Sequence, residues 1–272
     1  MLPGYLLALR EGLEAALVIG IVFSVLAKMD QKQLGPSVWF GVFCGVIVSL
    51  TTALILNRIG MAFEGQGEQI FEASAMLLAA GILTWMVFWI GKQSSVMNKR
   101  IEQNVKQSVA RHSKGAIFLL AFLAVVREGI ELALFLLAIR HEINPFETML
   151  GAGLGVVTAV LVGVLVFTST RKLSLNRFFQ VTNILLALFA AGLVGLGVHE
   201  LNELGWVPAV IDPVWNLNSI LPEQSTLGQL LKAMVGYKST PSLSMVIAYF
   251  GYFAVLGGIL FVRRRTTKSS LV

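Results

Sequence analysis

The residues that most often build metal sites and disulfides are nearly missing from this chain. Of its 272 residues one is cysteine, Cys44, and three are histidine. A single cysteine excludes an intrachain disulfide, and so few thiols and imidazoles supply no site of the zinc type. Carboxylates are more plentiful, with 15 Asp and Glu residues. We therefore expect any metal site to use mainly oxygen ligands.

Charged residues are also scarce. They make up 13% of the chain, whereas hydrophobic residues make up 56%, and a soluble domain of this length exposes far more charge. Several apolar runs exceed the roughly 18–20 residues that cross a hydrocarbon core of about 30 Å. The N-terminus lacks the basic region of a signal peptide, and Arg10, Glu11 and Glu14 interrupt its apolar run. These features predict an all-α integral membrane protein that lies in the lipid bilayer.

The apolar runs predict seven transmembrane helices in a single membrane domain, 1–272. Their expected bounds are about 3–28, 37–57, 69–92, 115–139, 148–170, 178–199 and 241–262. With the N-terminus outside, fifteen Lys and Arg residues fall in inner segments and four in outer segments, which is a strong positive-inside bias. The basic connector 94–114, expected as an amphipathic helix on the inner leaflet, and the basic tail 263–272 are then cytoplasmic, and the loop 200–240 is extracytoplasmic. The net charge of +6 thus reflects topology, and no nucleic-acid partner is expected.

A short charged motif occurs twice. Residues 9–15 read LREGLEA and residues 126–132 read VREGIEL, 117 positions later. A unit of three spans that is repeated once must invert, because an odd number of spans leaves the chain on the opposite side. We therefore predict two inverted repeats, 3–92 and 115–199, with the helix 241–262 as an addition, a plan that recurs in secondary transporters. At about 1.5 Å per residue both motifs come out near mid-membrane.

Each motif places three ionisable side chains in hydrocarbon, at a cost on the order of 8–10 kcal/mol before pairing. Two glutamates at i and i+3 share one helical face, and four such carboxylates suit hard or borderline cations. The glycine between them lets a neighbouring helix approach, and the arginine can neutralise carboxylates when no ion is bound. Salt bridges that merely satisfy themselves, and a proton relay without metal, are the alternatives. The expected metal ligands are Glu11, Glu14, Glu128 and Glu131, supported by Arg10, Gly12, Arg127 and Gly129.

A second group of acidic residues is predicted at the outer surface. Three glutamates recur every four residues at the outer end of the third helix, and the sixth helix ends on the same side with a histidine and two glutamates. We expect these side chains to form an outer acidic cluster through which the ion enters, and a solvated helix end is the alternative. The cluster consists of Glu64, Glu68, Glu72, His199, Glu200 and Glu203.

Three glycines at alternate positions, Gly151, Gly153 and Gly155, suggest a nucleotide-binding loop at first sight. No predicted strand precedes them, and they fall inside a predicted span. Close helix packing is therefore the better interpretation.

The doubled Arg-Glu-Gly-[Leu/Ile]-Glu motif resembles that of the oxidase-dependent iron transporter family, which includes fungal high-affinity iron permeases and bacterial Efe-type permeases. The resemblance implies iron import, with iron as the transported substrate, the four motif glutamates as its ligands and no permanently bound cofactor. It also implies a bacterial inner-membrane location and separate extracytoplasmic iron-binding, oxidase or peroxidase partners. The similarity extends over nearly the whole chain and includes the segments 71–72 (FE), 84–89 (TWMVFW), 199–200 (HE), 236–237 (GY) and 241–242 (PS).

Three other functions remain open at this stage. Lead permeases share the motif, so the cation could be lead, or another such as manganese. A membrane-embedded carboxylate metalloenzyme is a second alternative, although di-iron bundle enzymes typically use Glu-x-x-His pairs and both pairs here end in glutamate. A proton-coupled carrier of some other solute is the third.

Overall fold

A computed structural model describes the backbone of residues 1–110, 113–139, 144–168 and 175–269. Side chains are described for the same residues except 89–110, 168, 175–180, 226, 233 and 263–269. Every regular element within these ranges is helical, which confirms the predicted all-α class. The eight α-helices described are α1 (Leu2–Lys28), α2 (Gly35–Ala62), α3 (Gln66–Ala110), α4 (Lys114–Ala138), α5 (Pro145–Thr168), α6 (Leu175–Glu203), α7 (Thr226–Val235) and α8 (Leu243–Ser269).

Within the described residues, five helical segments are long and apolar enough to cross a membrane. Many large apolar side chains on these segments are exposed, as expected where a helix faces lipid rather than water. Helices α1 and α4 are not among the five, because each carries the three charged residues of its motif. The described part of the chain is thus all-helical, with segments of the length and composition that cross membranes, and the count of seven spans stays a prediction. The five segments are Lys32–Ala62, Gln66–Phe88, Pro145–Phe167, Val181–Glu203 and Leu243–Val262.

Side-chain caps and proline explain where several helices begin. Ser113 Oγ accepts a hydrogen bond from the backbone N–H of Ala116 at 3.2 Å at the start of α4, as an N-cap serine does. Asn144 Oδ1 accepts one from the N–H of Phe146 at 3.0 Å at the start of α5. Helix α1 carries proline in its first turn, where the missing N–H would be unpaired in any case.

Two helix bounds and one loop differ clearly from the prediction. Helix α3 continues to Ala110 instead of ending near residue 92, so it also takes in most of the amphipathic helix expected at 94–114, and α8 continues to Ser269 instead of ending at 262. Both extensions are polar and contain neither proline nor glycine, so polarity ends the apolar span without ending the helix. With 45 residues, α3 is about 68 Å long, more than twice the hydrocarbon thickness. The loop predicted at 200–240 contains the short helix α7, capped by Ser225 and ended by Gly236 in the left-handed conformation.

The chain divides into two compact units. One consists of Met1–Ala62 and Trp85–Ile184, and the other of Phe63–Thr84 and Leu185–Val272. The units do not coincide with the predicted repeats, because each unit combines segments from both halves of the sequence.

In the first unit, α1 packs along α5 through small residues. A Cβ atom added to Gly4 would lie 2.7 Å from the carbonyl oxygen of Thr148, and one added to Gly12 would lie 2.7 Å from Cβ of Ala159. A Cβ atom on Gly163 would lie 2.8 Å from Cβ of Ala16. The contacts advance along both helices in the same direction, so the two helices run parallel.

Helix α2 packs along α4 in the same manner. A Cβ atom on Gly41 would lie 2.6 Å from the carbonyl oxygen of Phe118, and one on Gly45 would lie 2.9 Å from Cβ of Val125. These contacts also advance in one direction. Seams of small residues four apart let helix backbones approach closely in a membrane.

Helix α1 also contacts α4, and its last turns pack against the beginnings of α2 and α4. This contact brings the two motif helices together. The buried side chains at the base of the contact are Val22, Val25, Leu26, Leu34, Val38, Ile117 and Ala121.

The second unit contains an ordered segment between α6 and α8. Glu223 Oε1 accepts hydrogen bonds from the backbone N–H and the hydroxyl of Ser239, both at 2.8 Å. Asn202 Oδ1 accepts from the hydroxyls of Ser242 and Ser244 at 2.7 and 2.8 Å. These bonds tie the segment to the end of α6.

The glycine run on α5 allows a matched test of the packing. A Cβ atom on Gly155 would lie 2.8 Å from the backbone nitrogen of Leu9, whereas one on Gly153 would meet nothing within 4 Å in the described part of the chain. We expect Gly155→Ala to lower the free energy of unfolding by about 1–3 kcal/mol. Gly153→Ala should leave it unchanged or slightly higher, because alanine favours a helix. Thermal unfolding of the purified protein in detergent measures both, and equal midpoints would contradict the seam.

Candidate metal site

Both copies of the charged motif lie inside buried helix segments. Relative exposure is 1% for Arg10 and Glu11, 8% for Glu14, 6% for Glu128 and 8% for Glu131. Their spacing of three residues turns each glutamate pair toward one side of its helix, and the contact between α1 and α4 brings the two sides together. Five charged groups are therefore almost completely removed from solvent in one place.

Three carboxylates of this group converge. Glu11 of α1 and Glu128 and Glu131 of α4 each contribute an oxygen atom, and these three atoms lie within 4.8 Å of one another. Among the residues whose side chains are described, they form the group of acidic, cysteine or histidine side chains able to share one metal ion. Glu14 lies outside it, and its Oε1 atom is 2.7 Å from Nη2 of Arg10.

The two arginines differ in their surroundings. Arg10 donates from Nη1 to Glu11 Oε1 and, at 3.5 Å, to the sulfur of Met86. Arg127 donates from Nε to Glu131 Oε1 at 2.9 Å, and its Cζ atom lies 6.0 Å from the ring centre of Trp85. The Arg10 side chain is 1% exposed, and that of Arg127 is 37% exposed.

Several carboxylate oxygens in the group accept no hydrogen bond. Within the described residues, Oε2 of Glu11, Glu128 and Glu131 is buried and without a hydrogen-bond donor. Buried polar atoms are usually hydrogen-bonded, because leaving one unpaired is costly. One such oxygen on each of the three converging carboxylates is the arrangement that a bound cation would satisfy.

The motif glycines face small residues on neighbouring helices. Gly12 lies against Ala159 of α5, and Gly129 lies against Ser49 of α2. Ser49 Oγ donates to the carbonyl oxygen of Gly45 at 2.8 Å, which keeps the hydroxyl bonded within its own helix. Any side chain at either glycine would push the adjacent glutamates away from the neighbouring helix.

The residues of the outer acidic cluster belong to the second unit, where some of them are joined by a hydrogen bond and an ion pair. Glu203 Oε2 accepts from Nε2 of Gln69 at 3.0 Å, and its Oε1 atom lies 3.1 Å from Nε2 of His199. Glu68, Glu72 and Glu200 are partly buried, whereas Glu64 is exposed in the connection before α3.

A lysine to which the sequence assigns no site role, Lys238, lies in this cluster. Nζ of Lys238 contacts Nε2 of His199. Burial lowers the pKa of Lys238 below its ordinary value, while the carboxylates of Glu223, Glu203 and Glu200 act in the opposite direction. From the sequence, Lys238 is one of the four basic residues of the outer segments, and nothing in its spacing points to His199, 39 positions earlier. Trp85 and Met86 were noticed only as part of a segment typical of the family.

The sequence of the chain is similar to known iron permeases over its full length. The model of the iron permease FTR1 family matches residues 1–271. The ferrous iron permease EfeU of Yersinia pestis is 32% identical over 274 residues, covering 100% of this chain and 97% of the relative. That of Escherichia coli O6:K15:H31 (strain 536) is 32% identical over 276 residues, covering 100% of both chains. No solved structure matches the chain.

Arg10 offers a test of charge compensation at this site. We expect Arg10→Gln to destabilise the protein by about 3–5 kcal/mol, because it leaves buried carboxylates without their guanidinium partner. The double variant Arg10→Gln with Glu14→Gln should recover part of the loss, since it also removes one carboxylate. Thermal unfolding in detergent measures both, and Arg58→Gln, at an exposed position of α2, is the control. An Arg10→Gln protein as stable as the wild type would contradict this account.

Proposed function

Because the chain belongs to the iron permease FTR1 family, a family of transporters and not of enzymes, we propose that it imports iron across a bacterial inner membrane as Fe²⁺. Its relatives of similar length are named ferrous iron permeases. The observation that carries the proposal is the convergence of three buried carboxylates from α1 and α4. Oxygen ligands of this kind suit Fe²⁺ and comparable hard or borderline cations.

The formal charge of the motif residues favours a divalent cation. Four ionised glutamates and two arginines sum to −2, and one Fe²⁺ ion would neutralise them, whereas Fe³⁺ would leave an excess positive charge in hydrocarbon. Net charge at the centre of a bilayer is costly, so neutrality in the bound state supports Fe²⁺. Mn²⁺ and Pb²⁺ have the same charge, which makes them the natural competitors in a transport assay.

Transport would use two inverted repeats, 3–92 and 115–199, together with the helix 241–262. The packing of the first unit supports this arrangement, because α1 lies along α5 as α4 lies along α2, with parallel directions and small-residue seams in both pairs. In the predicted repeats, α1 corresponds to α4 and α2 corresponds to α5. The pair of α1 with α5 therefore corresponds to the pair of α4 with α2. In such carriers, rearrangement of the repeats around a midplane site opens it to each side in turn. The N-terminus would be outside and the C-terminus in the cytoplasm.

The outer acidic cluster would receive the ion before it reaches the motif glutamates. Carboxylates at an outer surface raise the local concentration of cations. Lys238 would act as a resident positive charge that partly balances the cluster when no ion is present. Separate extracytoplasmic iron-binding, oxidase or peroxidase proteins would deliver the ion to this side. No permanently bound cofactor is part of the proposal.

Radiolabelled iron uptake into proteoliposomes tests the transport site. We expect the wild type to take up Fe²⁺ in preference to Fe³⁺, and Glu11→Gln and Glu131→Gln each to lower the uptake rate at least about tenfold, the lower end of the losses caused by disturbing a metal site. Mn²⁺ and Pb²⁺, added in excess, report how selective the site is.

The control for this assay is Glu147→Gln, which removes a carboxylate from a half-exposed ion pair with the N-terminal amine. It should transport as the wild type does. Normal transport by both motif variants would make the motif glutamates structural. Faster uptake of Mn²⁺ or Pb²⁺ than of iron would assign the permease to that cation instead.

The double variant Glu68→Gln with Glu72→Gln tests the outer acidic cluster. We expect the apparent KM for iron to rise several-fold with kcat unchanged, because capture weakens while the midplane site is intact. The same proteoliposome assay over a range of iron concentrations measures both constants, with Glu147→Gln again as the control that removes a carboxylate elsewhere. An unchanged KM would remove the cluster from the ion pathway.

A further inference from the structure

Two consecutive residues of α3 contact the two motif arginines. The sulfur of Met86 accepts a hydrogen bond from Arg10 at 3.5 Å, and the ring of Trp85 lies under the guanidinium of Arg127, with 6.0 Å between Cζ and the ring centre. Consecutive helical residues point about 100° apart, so this short piece of α3 reaches both copies of the motif. The transport mechanism proposed above gives neither side chain a role.

The two contacts hold their arginines very differently. Arg10 is fully enclosed and is held by Glu11, Glu14 and Met86 together. A guanidinium with three partners and 1% exposure has no room for a second position. Arg10 therefore serves as a fixed countercharge. Its partner Glu14 lies outside the three converging carboxylates.

Arg127 is less enclosed than Arg10, with 37% of its side chain exposed. Its Nε atom bonds Glu131 at 2.9 Å and lies 3.9 Å from Glu128, while its Cζ atom lies 6.0 Å from the ring centre of Trp85. Both of these glutamates belong to the converging group. A cation bound there would compete with Arg127 for the same oxygens, so Arg127 must loosen its hold as the ion enters.

We infer that Trp85 is a positioning residue. Its ring offers the guanidinium of Arg127 an alternative binding position, so that the carboxylates of Glu128 and Glu131 become available to the cation. An aromatic face attracts a cation within about 6 Å, and tryptophan does so best. In the ion-free state Arg127 is shared between Glu131 and the ring. In the ion-bound state the ring keeps it, and the metal takes the oxygens. The two motifs are thus unequal, with one fixed arginine and one displaceable arginine.

The inference rests on the proposed function and is tested by Fe²⁺ binding. Calorimetric titration of the purified full-length protein with Fe²⁺, in detergent and without oxygen, gives a Kd that does not depend on transport activity. We expect Trp85→Leu to weaken binding about two- to fivefold, the range that a cation–π contact at a partly exposed site supplies. Trp85→Phe retains an aromatic face and should stay within about twofold of the wild type.

A double-mutant cycle separates this role from a structural one. In an Arg127→Gln background, Trp85→Leu should have no further effect on Kd, because no guanidinium remains that the ring could hold. Trp39→Leu is the control, since Trp39 is an exposed tryptophan of α2 with a ring contact to Phe23. It should bind Fe²⁺ as the wild type does.

Each other outcome has a definite meaning. Equal weakening by Trp85→Leu with and without Arg127, equal effects of leucine and phenylalanine, or no effect of Trp85→Leu would each overturn the inference. The titration includes Glu131→Gln, which should abolish binding at the motif site. If the wild type itself binds no Fe²⁺, or if Glu131→Gln binds normally, the proposed function fails, and that failure is distinguishable from a failed cycle.

Discussion

Charge in hydrocarbon has to be compensated within a few ångströms, and the first unit is organised around that constraint. Six charged side chains from α1 and α4 meet in one place, where five are almost completely buried and Arg127 is 37% exposed. Bringing either motif there alone would leave at least one carboxylate without a partner. Pairing reduces the cost without removing it, since Oε2 of three glutamates remains without a donor among the described residues. In the proposed function, this unpaired charge would give the site its affinity for cations. A site with every carboxylate bonded to arginine would be more stable and would have nothing to offer an ion.

Close helix packing serves the same constraint. The motif helices approach α5 and α2 through glycine, alanine and serine, which leaves little space near the carboxylates for lipid or water. A low dielectric then strengthens every interaction between the charged groups. The glycine inside each motif is part of the electrostatics as much as of the packing, because a side chain there would move two glutamates at once.

The all-α class and the shared helical face of the two glutamates in each motif could be predicted from the sequence, because both depend on local spacing. Apolar runs reveal spans, and Glu-x-x-Glu pairs share a helical face whatever the fold.

Other features depend on distant contacts. Nothing local distinguishes Glu14 from Glu131, yet Arg10 withdraws the first from the converging group. The contact of Lys238 with His199, and those of Trp85 and Met86 with the arginines, likewise have no periodic signature. Of the glycines on α5, Gly155 packs against α1, whereas Gly153 meets nothing in the described part of the chain, since seams follow a spacing of four. The end of α8 was misplaced because loss of apolarity was taken as loss of helix. A separate amphipathic helix was expected at 94–114, whereas α3 continues as one helix to Ala110. Helix α7 was missed because one short turn-rich segment looks like a loop.

The crossed packing of the first unit also determines what can move as a body. Helix α1 is joined to α5 and helix α4 to α2 by backbone-to-backbone seams, whereas α1 and α4 meet through side chains. The natural rigid bodies are therefore these two pairs, each of which takes one helix from either half of the sequence. Glu128 and Glu131 belong to the pair that contains α4, and Glu11 belongs to the pair that contains α1. A small slide between the two pairs would therefore change the distance from Glu11 to the α4 carboxylates and leave the α4 carboxylates together. Such a slide would switch a three-carboxylate site to a two-carboxylate site, coupling the affinity for the ion directly to the displacement of the helices.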